Sequence, residues 1–153
     1  MWLGESTHTV DDKGRVSVPR RLLAGQAFDA GGRLTLVLTL GFEGCLFLFT
    51  EASFAKAIAR LETQPFGGEE KRNMQRLFFS KAARVELDEK NRLSLPEKLR
   101  QLVGIEKDVA IIGVVDRAEI WPKAKWEAFD AEHAREFAQL DRVLLGGANA
   151  PEA

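Results

Sequence analysis

The chain has 153 residues, of which 45% are hydrophobic and 29% charged, so it is long enough for one ordinary globular domain or two small ones. Its formal net charge is -1, so no overall basic field points to a nucleic-acid partner, and only a local basic cluster could do so. Cys45 is the only cysteine, which excludes a disulfide framework, and no apolar run approaches the roughly 18 residues that a membrane-spanning helix needs. We therefore expect a soluble protein of the reducing cytoplasm, without a secretion signal.

A polar turn between two short strands is the first predicted element. Apolar residues flank the segment Asp11-Asp12-Lys13-Gly14-Arg15, and this alternation around a glycine-containing polar stretch is typical of a β-hairpin. Gly14 suits the positive φ angle of such a turn, and Asp11 can accept hydrogen bonds from neighbouring backbone amides. Pro19 should end the second strand and lead into a short helical turn over residues 20–23.

The rest of the first half contains two apolar strands and two helices. The strands are expected at residues 34–38 and 46–49, and the first helix follows them and carries Phe54. A second helix is predicted over residues 69–81, after the linker Thr63-Gln64-Pro65-Phe66-Gly67-Gly68. We expect this second helix to bury a stripe made of Met74, Leu77 and Phe78.

The second half of the chain repeats the polar turn. Asp88-Glu89-Lys90-Asn91-Arg92 matches the first segment position by position, and Pro96 stands where Pro19 stands in the first copy. Asn91 replaces Gly14, but asparagine also tolerates the left-handed backbone conformation, so the same turn is expected. An internal repeat of this kind indicates one structural unit used twice.

The elements after the second turn also follow the order of the first half. Strands are expected at residues 109–112 and 118–121, and the closing helix carries Trp126 where the first half has Phe54. The apolar spacing of this last helix runs through Trp126, Phe129, His133, Phe137 and Leu140. One unit of three or four short strands cannot bury a core alone, whereas two units in one chain can do so by packing or interleaving their hairpins. We therefore expect a pseudo-twofold fold with the two turns at related positions.

Several of these motifs, in this order, resemble the MraZ family over roughly residues 1–140. The resemblance rests on the two polar segments with their prolines and on four further motifs. These are Gly4-Glu5 with His8-Thr9-Val10, Leu77-Phe78-Phe79-Ser80, Glu119-Ile120-Trp121, and Trp126. The MraZ family is similar in fold to the AbrB-type swapped-hairpin transcription factors. The resemblance therefore implies a β-rich α+β fold, in which tandem swapped-hairpin units form a pseudo-twofold, β-barrel-like core with flanking helices.

The same resemblance suggests how the chain is divided. We expect a first AbrB-like repeat over 1–63, a linker and connecting helix over 64–81, a second repeat over 82–141, and a tail over 142–153. The tail is expected to be disordered, as chain termini often are.

The resemblance also implies a function. The expected protein is a sequence-specific DNA-binding transcriptional regulator, chiefly a repressor, of the division and cell-wall gene cluster whose first gene encodes it. Its expected partners are double-stranded promoter DNA, through short tandem G-rich repeats, and itself, as a ring-like homo-oligomer. The protein would be cytoplasmic and nucleoid-associated, with no cofactor, no metal and no membrane contact.

Five basic residues are the candidate DNA contacts. The DNA-contacting motif of the family carries over onto Lys13 and Arg15 in the first segment, and onto Lys90 and Arg92 in the second. Arg20 is a further candidate for a phosphate contact. Arginine can pair with guanine through two hydrogen bonds, and a two-stranded β-ribbon fits the major groove, so the chemistry agrees with this assignment.

A structural salt bridge is the competing interpretation of both arginines. Aspartates and arginines in turns often pair at protein surfaces, so Arg15 could pair with Asp11, and Arg92 with Asp88. The two roles are compatible if the aspartate orients the arginine toward DNA. Asn91 stands where the family usually has glycine; it keeps the turn but could re-aim Arg92. The residues alone leave open whether Arg92 contacts bases, phosphates or only Asp88.

The sequence gives weaker support to other classes of function. The paired carboxylates Asp11-Asp12 and Asp88-Glu89 resemble an acid–base dyad, but each pair adjoins Lys and Arg and lacks the apolar surroundings that would raise a pKa. Cys45 and the two histidines lie in unrelated contexts, which argues against a nucleophilic or metal site. The alternative function is therefore a non-catalytic protein-interaction or oligomerisation module, in which the helices that carry Phe54 and Trp126 recruit a partner. As a separate possibility, the basic helix at 69–81 meets the acidic last helix across a subunit interface.

Overall fold

In a computed structural model of the chain, residues 1–26, 28–62 and 67–146 are described, without the side chains of residues 60–62. The chain divides into two compact units, residues 1–123 and 124–153. Residues 63–66 of the predicted linker lie outside the described residues, as do residues 147–153 of the predicted tail. In the described part of the chain, no helix combines the length and the apolar character needed to cross a membrane.

The first unit alternates short strands and helices in the predicted order. Its strands are β1 (Trp2–Thr9), β2 (Arg15–Ser17), β3 (Thr35–Leu40), β4 (Leu46–Thr50), β5 (Ala83–Glu86), β6 (Arg92–Ser94), β7 (Asp108–Val115) and β8 (Ala118–Pro122). Its helices are α1 (Arg20–Leu23), α2 (Glu51–Glu62), α3 (Glu69–Phe79) and α4 (Glu97–Val103).

The two halves of the chain exchange strands. A six-stranded antiparallel sheet has the order β1-β7-β8-β4-β3-β5, and β2 pairs with β6 in a separate two-stranded ribbon. The first strand of each half thus pairs with a strand of the other half, β1 with β7 and β5 with β3. The large sheet is open, with β1 and β5 at its edges, so the predicted barrel-like closure is not confirmed.

The strand register has the expected pseudo-twofold symmetry. Val16 lies opposite Leu93 in the ribbon, and these residues occupy equivalent positions in the two repeated motifs. Phe47 lies opposite Glu119 in the large sheet, and these residues are also equivalent in the two halves. A residue can face its own counterpart only at a twofold axis, so the axis passes through both pairs. The two polar turns are therefore related by this axis.

Both halves contribute to one hydrophobic core. The residues that are at most 1% exposed include Val16, Leu36, Leu38, Leu46, Leu48, Leu93, Val109, Ile111 and Ile120. They come from strands of both repeats and belong to a single cluster. Burial of such a side chain stabilises a fold by about 1.5–3 kcal/mol, so the interleaved core stabilises the two turns in one fixed relation.

Aromatic side chains join α2 and α3 to the sheet. The Phe54 ring of α2 lies 5.5 Å from that of Phe49 on β4. It also lies 6.3 Å from the ring of Phe78 and 6.4 Å from that of Phe79, both on α3. This cluster explains why the first closing helix carries a phenylalanine at this position.

The helix predicted from residue 69 is confirmed as α3, but the buried stripe predicted on it is wrong. Met74 is 53% exposed and Leu77 is 68% exposed, while Phe78 is half-buried. The spacing shows that the three share one face of the helix, but it does not show that another element covers that face. Here they line an open groove of about 550 Å³, together with Phe42 and Phe47.

The second unit is helical but is not the single regular helix that the spacing predicted. Helix α5 (Lys123–His133) begins at the last residue of the first unit and runs into the second. It is followed by a 3₁₀ helix (Ala134–Gln139) and α6 (Leu140–Leu144). α6 extends into the segment that the sequence predicted as a tail. None of the residues of these three elements is buried, and Phe137, Val143 and Leu144 are each at least 75% exposed.

Candidate nucleic-acid interface

Asp11 organises the first polar turn. Its Oδ1 accepts hydrogen bonds from the backbone N–H groups of Lys13 and Arg15, both at 2.9 Å. Its Oδ2 accepts a bond from Nε of Arg15, also at 2.9 Å. The turn is closed by a bond from the Gly14 N–H to the Asp11 carbonyl oxygen at 2.9 Å. Gly14 is buried and has a φ of +77°, a conformation that favours glycine.

The second turn has the same geometry. Oδ1 of Asp88 accepts hydrogen bonds from the backbone N–H groups of Lys90 and Arg92, both at 2.9 Å, and its Oδ2 accepts one from Nε of Arg92 at 2.7 Å. Asn91 has a φ of +58°, so it takes the left-handed conformation in place of glycine. Arg92 makes the same ion pair as Arg15, so the asparagine does not re-aim it relative to its aspartate.

The strands beside each turn diverge instead of forming a local hairpin. β1 joins the large sheet and β2 joins the ribbon, so the two strands have different partners. At the base of the turn, the Asp11 N–H donates a hydrogen bond to the Arg15 carbonyl oxygen. The alternating pattern predicted two strands around a turn, and both are present. The pattern could not predict their partners, because those come from the other half of the chain.

The ribbon of β2 and β6 has one buried face and one outward face. Val16 and Leu93 are at most 1% exposed and point into the core. Side chains alternate along a strand, so their neighbours on both strands point outward. The outward face consists of Arg15, Ser17, Arg92 and Ser94, with Arg15 opposite Ser94 and Arg92 opposite Ser17.

The two arginines are diagonal neighbours on this outward face. Diagonal positions of an antiparallel pair are typically about 7–8 Å apart. Each arginine is 27% exposed and uses Nε for its aspartate. In the part of the chain that the structure describes, neither has a hydrogen-bond partner for its two terminal guanidinium nitrogens. A pair of planar N–H groups therefore remains available on each side chain.

Hydrogen bonds within the turns keep the two aspartates charged. The pKa of Asp11 is lowered, chiefly by the hydrogen bond from the Arg15 backbone N–H and further by the Arg15 side chain. The pKa of Asp88 is lowered in the same way by Arg92. Both carboxylates are therefore ionised at neutral pH and hold their arginines in one orientation. The structural salt bridge that competed with the DNA interpretation is thus present, and it leaves the ends of the arginines accessible.

Strand exchange places each turn beside a helix of the other half. The Leu95 N–H donates to the Gly14 carbonyl oxygen and the Val18 N–H donates to that of Asn91, both at 2.9 Å. Pro96 and Pro19, the residues that follow, directly precede α4 and α1. The first turn therefore adjoins the start of α4, and the second adjoins the start of α1.

Three basic residues complete this surface. Lys13 and Lys90 are exposed, one in each turn. Arg20 is also exposed, and it is the first residue of α1, the helix whose start adjoins the second turn. Its neighbour Arg21 instead donates a hydrogen bond to the Glu5 carbonyl oxygen on β1. The sequence could not show this division, since it depends on which half each strand pairs with.

Sequence reasoning missed the two serines of the outward face, although a signal for them was present. Arg15-Val16-Ser17 and Arg92-Leu93-Ser94 both alternate polar, apolar and polar residues. A buried central residue with period two places the arginine and the serine on the same face. The serine hydroxyls add donors and acceptors between the two arginines.

Comparisons with known proteins match both halves of the chain. The family model described as "MraZ protein, putative antitoxin-like" matches residues 1–77 and again residues 78–146. A protein of Acetivibrio thermocellus named "Transcriptional regulator MraZ" is 39% identical over 132 residues, which cover 86% of this chain and 88% of that protein. Proteins of the same name from Desulforamulus reducens and Heliobacterium modesticaldum are each 35% identical, over 95% of this chain and 98% and 97% of their own lengths. Because the family model matches both repeats and these relatives span nearly the whole chain, the chain belongs to the MraZ family.

Proposed function

We propose that the protein is a sequence-specific, DNA-binding transcriptional regulator that contacts DNA through the outward face of the ribbon of β2 and β6. The observation that carries the proposal is the pair of arginines that face outward from this ribbon, each held by an aspartate and each with its terminal N–H groups unbonded within the described chain. The names of its relatives, which are transcriptional regulators, support the same function.

The ribbon suits the major groove. A two-stranded β-ribbon can enter that groove, where each base pair presents a distinct pattern of donors and acceptors. Arg15 and Arg92 would each pair with O6 and N7 of a guanine, which agrees with the G-rich promoter repeats that the family resemblance implies. Lys13, Lys90 and Arg20 would contact phosphates and fix the position of the ribbon on the duplex.

The finer role follows from the family resemblance. The protein represses the division and cell-wall gene cluster that includes its own gene, and it acts in the cytoplasm, associated with the nucleoid. Its repeat boundaries are near residues 1–63 and 82–141, with the connecting segment over 64–81 between them. The two matches to the family model, over residues 1–77 and 78–146, support the presence of two repeats.

The proposal includes a ring-like homo-oligomer. Two sets of uncovered apolar side chains support self-association: the groove beside α3, where Phe42 is 62% exposed, and the second unit, where Phe137 is 77% exposed. Large exposed apolar patches on a protein generally mark interaction surfaces. An assembly that engages several tandem repeats at once gains on the order of 100-fold or more in affinity, so each ribbon need bind only modestly.

The same groove favours one alternative, a non-catalytic protein-interaction or oligomerisation module. The groove is largely apolar and lies on residues that the DNA proposal does not use. The salt dependence of binding distinguishes the two functions, because affinity for DNA falls steeply as the salt concentration rises, whereas affinity through apolar protein contacts does not.

The test is binding of the purified protein to its own upstream promoter DNA, beside a scrambled duplex, across a salt series. We expect preference for the promoter, a steep salt dependence, and loss of the preference in Arg15→Ala. Arg33→Ala is the matched control, since Arg33 is a well-exposed arginine outside the ribbon. Equal affinity for both duplexes at every salt concentration, from a folded oligomer, would refute the regulator and favour the interaction module.

A further inference from the structure

Arg100 of α4 lies against the first turn, although it belongs to the second repeat. A Cβ atom placed on Gly14 would lie 3.0 Å from Nη2 of Arg100 and 3.2 Å from its Cζ. Nε of Arg100 donates a hydrogen bond to the Leu95 carbonyl oxygen at 3.0 Å. The Leu95 N–H in turn donates a hydrogen bond to the Gly14 carbonyl oxygen. The guanidinium is thus tethered beside the turn that carries Lys13 and Arg15.

This guanidinium differs in its pairing from the arginines of the ribbon. Arg15 and Arg92 are each neutralised by an aspartate, whereas Arg100 forms no ion pair within the described residues. Its terminal nitrogens likewise have no hydrogen-bond acceptor in the described chain. The side chain is only half-buried, so a positive charge with unbonded donors is presented beside the first turn.

The second turn has no equivalent of Arg100. The matching position in the first repeat, four residues after the proline, is Leu23, which is 6% exposed and part of the core. The second turn instead adjoins Arg20, whose own counterpart in the second repeat is Glu97. Each turn therefore has one arginine from the neighbouring helix, supplied at different positions of the two repeats.

We propose that Arg100 binds a phosphate of the DNA backbone beside the first turn, as Arg20 does beside the second. This inference rests on the proposed function, because it needs the ribbon to face DNA. It also accounts for the difference between the two turn residues: Gly14 leaves room for the Arg100 guanidinium, whereas the residue that matches Arg100 in the first repeat is the core residue Leu23, which brings no guanidinium to Asn91. The acceptor is a phosphodiester oxygen, so the contact adds affinity without sequence preference.

The experiment measures binding of Arg100→Gln, Arg100→Lys and Arg33→Gln to promoter and scrambled DNA across a salt series. Each phosphate contact contributes about 0.9 to the slope of log affinity against log salt concentration. We expect Arg100→Gln to lower the slope by about this amount per ribbon on both duplexes. Arg100→Lys should keep the slope because it keeps the charge, and Arg33→Gln should not change it.

Gly14→Asn provides an independent variant with Arg100 still present. It copies the residue that the second turn already tolerates, but its side chain would displace the guanidinium, so the slope should fall as in Arg100→Gln. In the Arg100→Gln background, Gly14→Asn should produce no further change in slope. Weaker binding with an unchanged slope, together with a lower melting temperature, would overturn the proposal and leave Arg100 a structural residue. Failure of the proposed function looks different, because the wild type itself would then bind promoter and scrambled DNA with equal affinity at every salt concentration.

Discussion

Equal loss of DNA binding on truncation of Arg15 or Arg92 is the prediction that follows most directly from the ribbon. The two side chains have the same exposure, the same Nε–aspartate pairing at 2.9 and 2.7 Å, and diagonal positions on one face. A bidentate arginine–guanine pair discriminates by about 1–3 kcal/mol, which corresponds to roughly 5- to 150-fold in affinity at a single ribbon. We therefore expect each single alanine variant to lose specific affinity within this range, and the two losses to agree within a few-fold.

The assay is fluorescence anisotropy with a labelled promoter duplex that holds one binding site, so that avidity does not amplify the effect. Arg15→Lys and Arg92→Lys accompany the alanine variants. Lysine keeps the charge but cannot form the planar two-bond pair, so specific affinity should fall while affinity for scrambled DNA stays constant. A wild-type affinity for Arg92→Ala, beside a clear loss for Arg15→Ala, would show that the second turn is structural and that the symmetric ribbon account is wrong.

Three further predictions concern stability and assembly. Leu93→Ala should lower the free energy of unfolding by about 2–5 kcal/mol in urea denaturation, because Leu93 is fully buried, whereas Leu102→Ala, at a 50% exposed position, should have little effect. The folded pKa values of Asp11 and Asp88 lie below the usual carboxyl value, so their contribution to stability is present above the unfolded pKa and is lost as the pH falls through the folded pKa. Denaturation between pH 7 and pH 3 should show this loss in the wild type and a shallower one in an Asp11→Asn, Asp88→Asn double variant. Leu77→Asp should reduce the oligomer mass in light scattering without unfolding the subunit, and an unchanged mass would exclude the groove from the subunit interface.

The turns could be predicted from sequence because their geometry is local. Asp11 binds backbone groups two and four residues away, and the positive φ at Gly14 and Asn91 follows from residue type. The period-two alternation around Val16 and Leu93 likewise predicts which side chains are buried. Each of these features depends on residues within one short segment.

The pairing between the halves could not be predicted in the same way. A strand pattern shows which face is apolar, but it does not show which strand lies beside it. The position of Arg100 beside the first turn, and of the start of α1 beside the second, therefore could not be predicted. The exposure of one face of α3 could not be predicted for the same reason. The spacing of Met74 and Leu77 shows that they share a face, but it does not show whether another element packs against that face.

The central claim, that the ribbon reads guanine in the major groove, is tested most directly by removing single base atoms. Replacing the guanines of the bound promoter sequence by 7-deazaguanine removes the N7 acceptor and leaves the Watson–Crick pairing and the phosphates intact. The account predicts that the wild type loses specific affinity for the substituted duplex, and that a double variant with Arg15→Ala and Arg92→Ala binds the two duplexes equally. Equal binding of both duplexes by the wild type would contradict guanine recognition by these arginines, whatever the overall affinity.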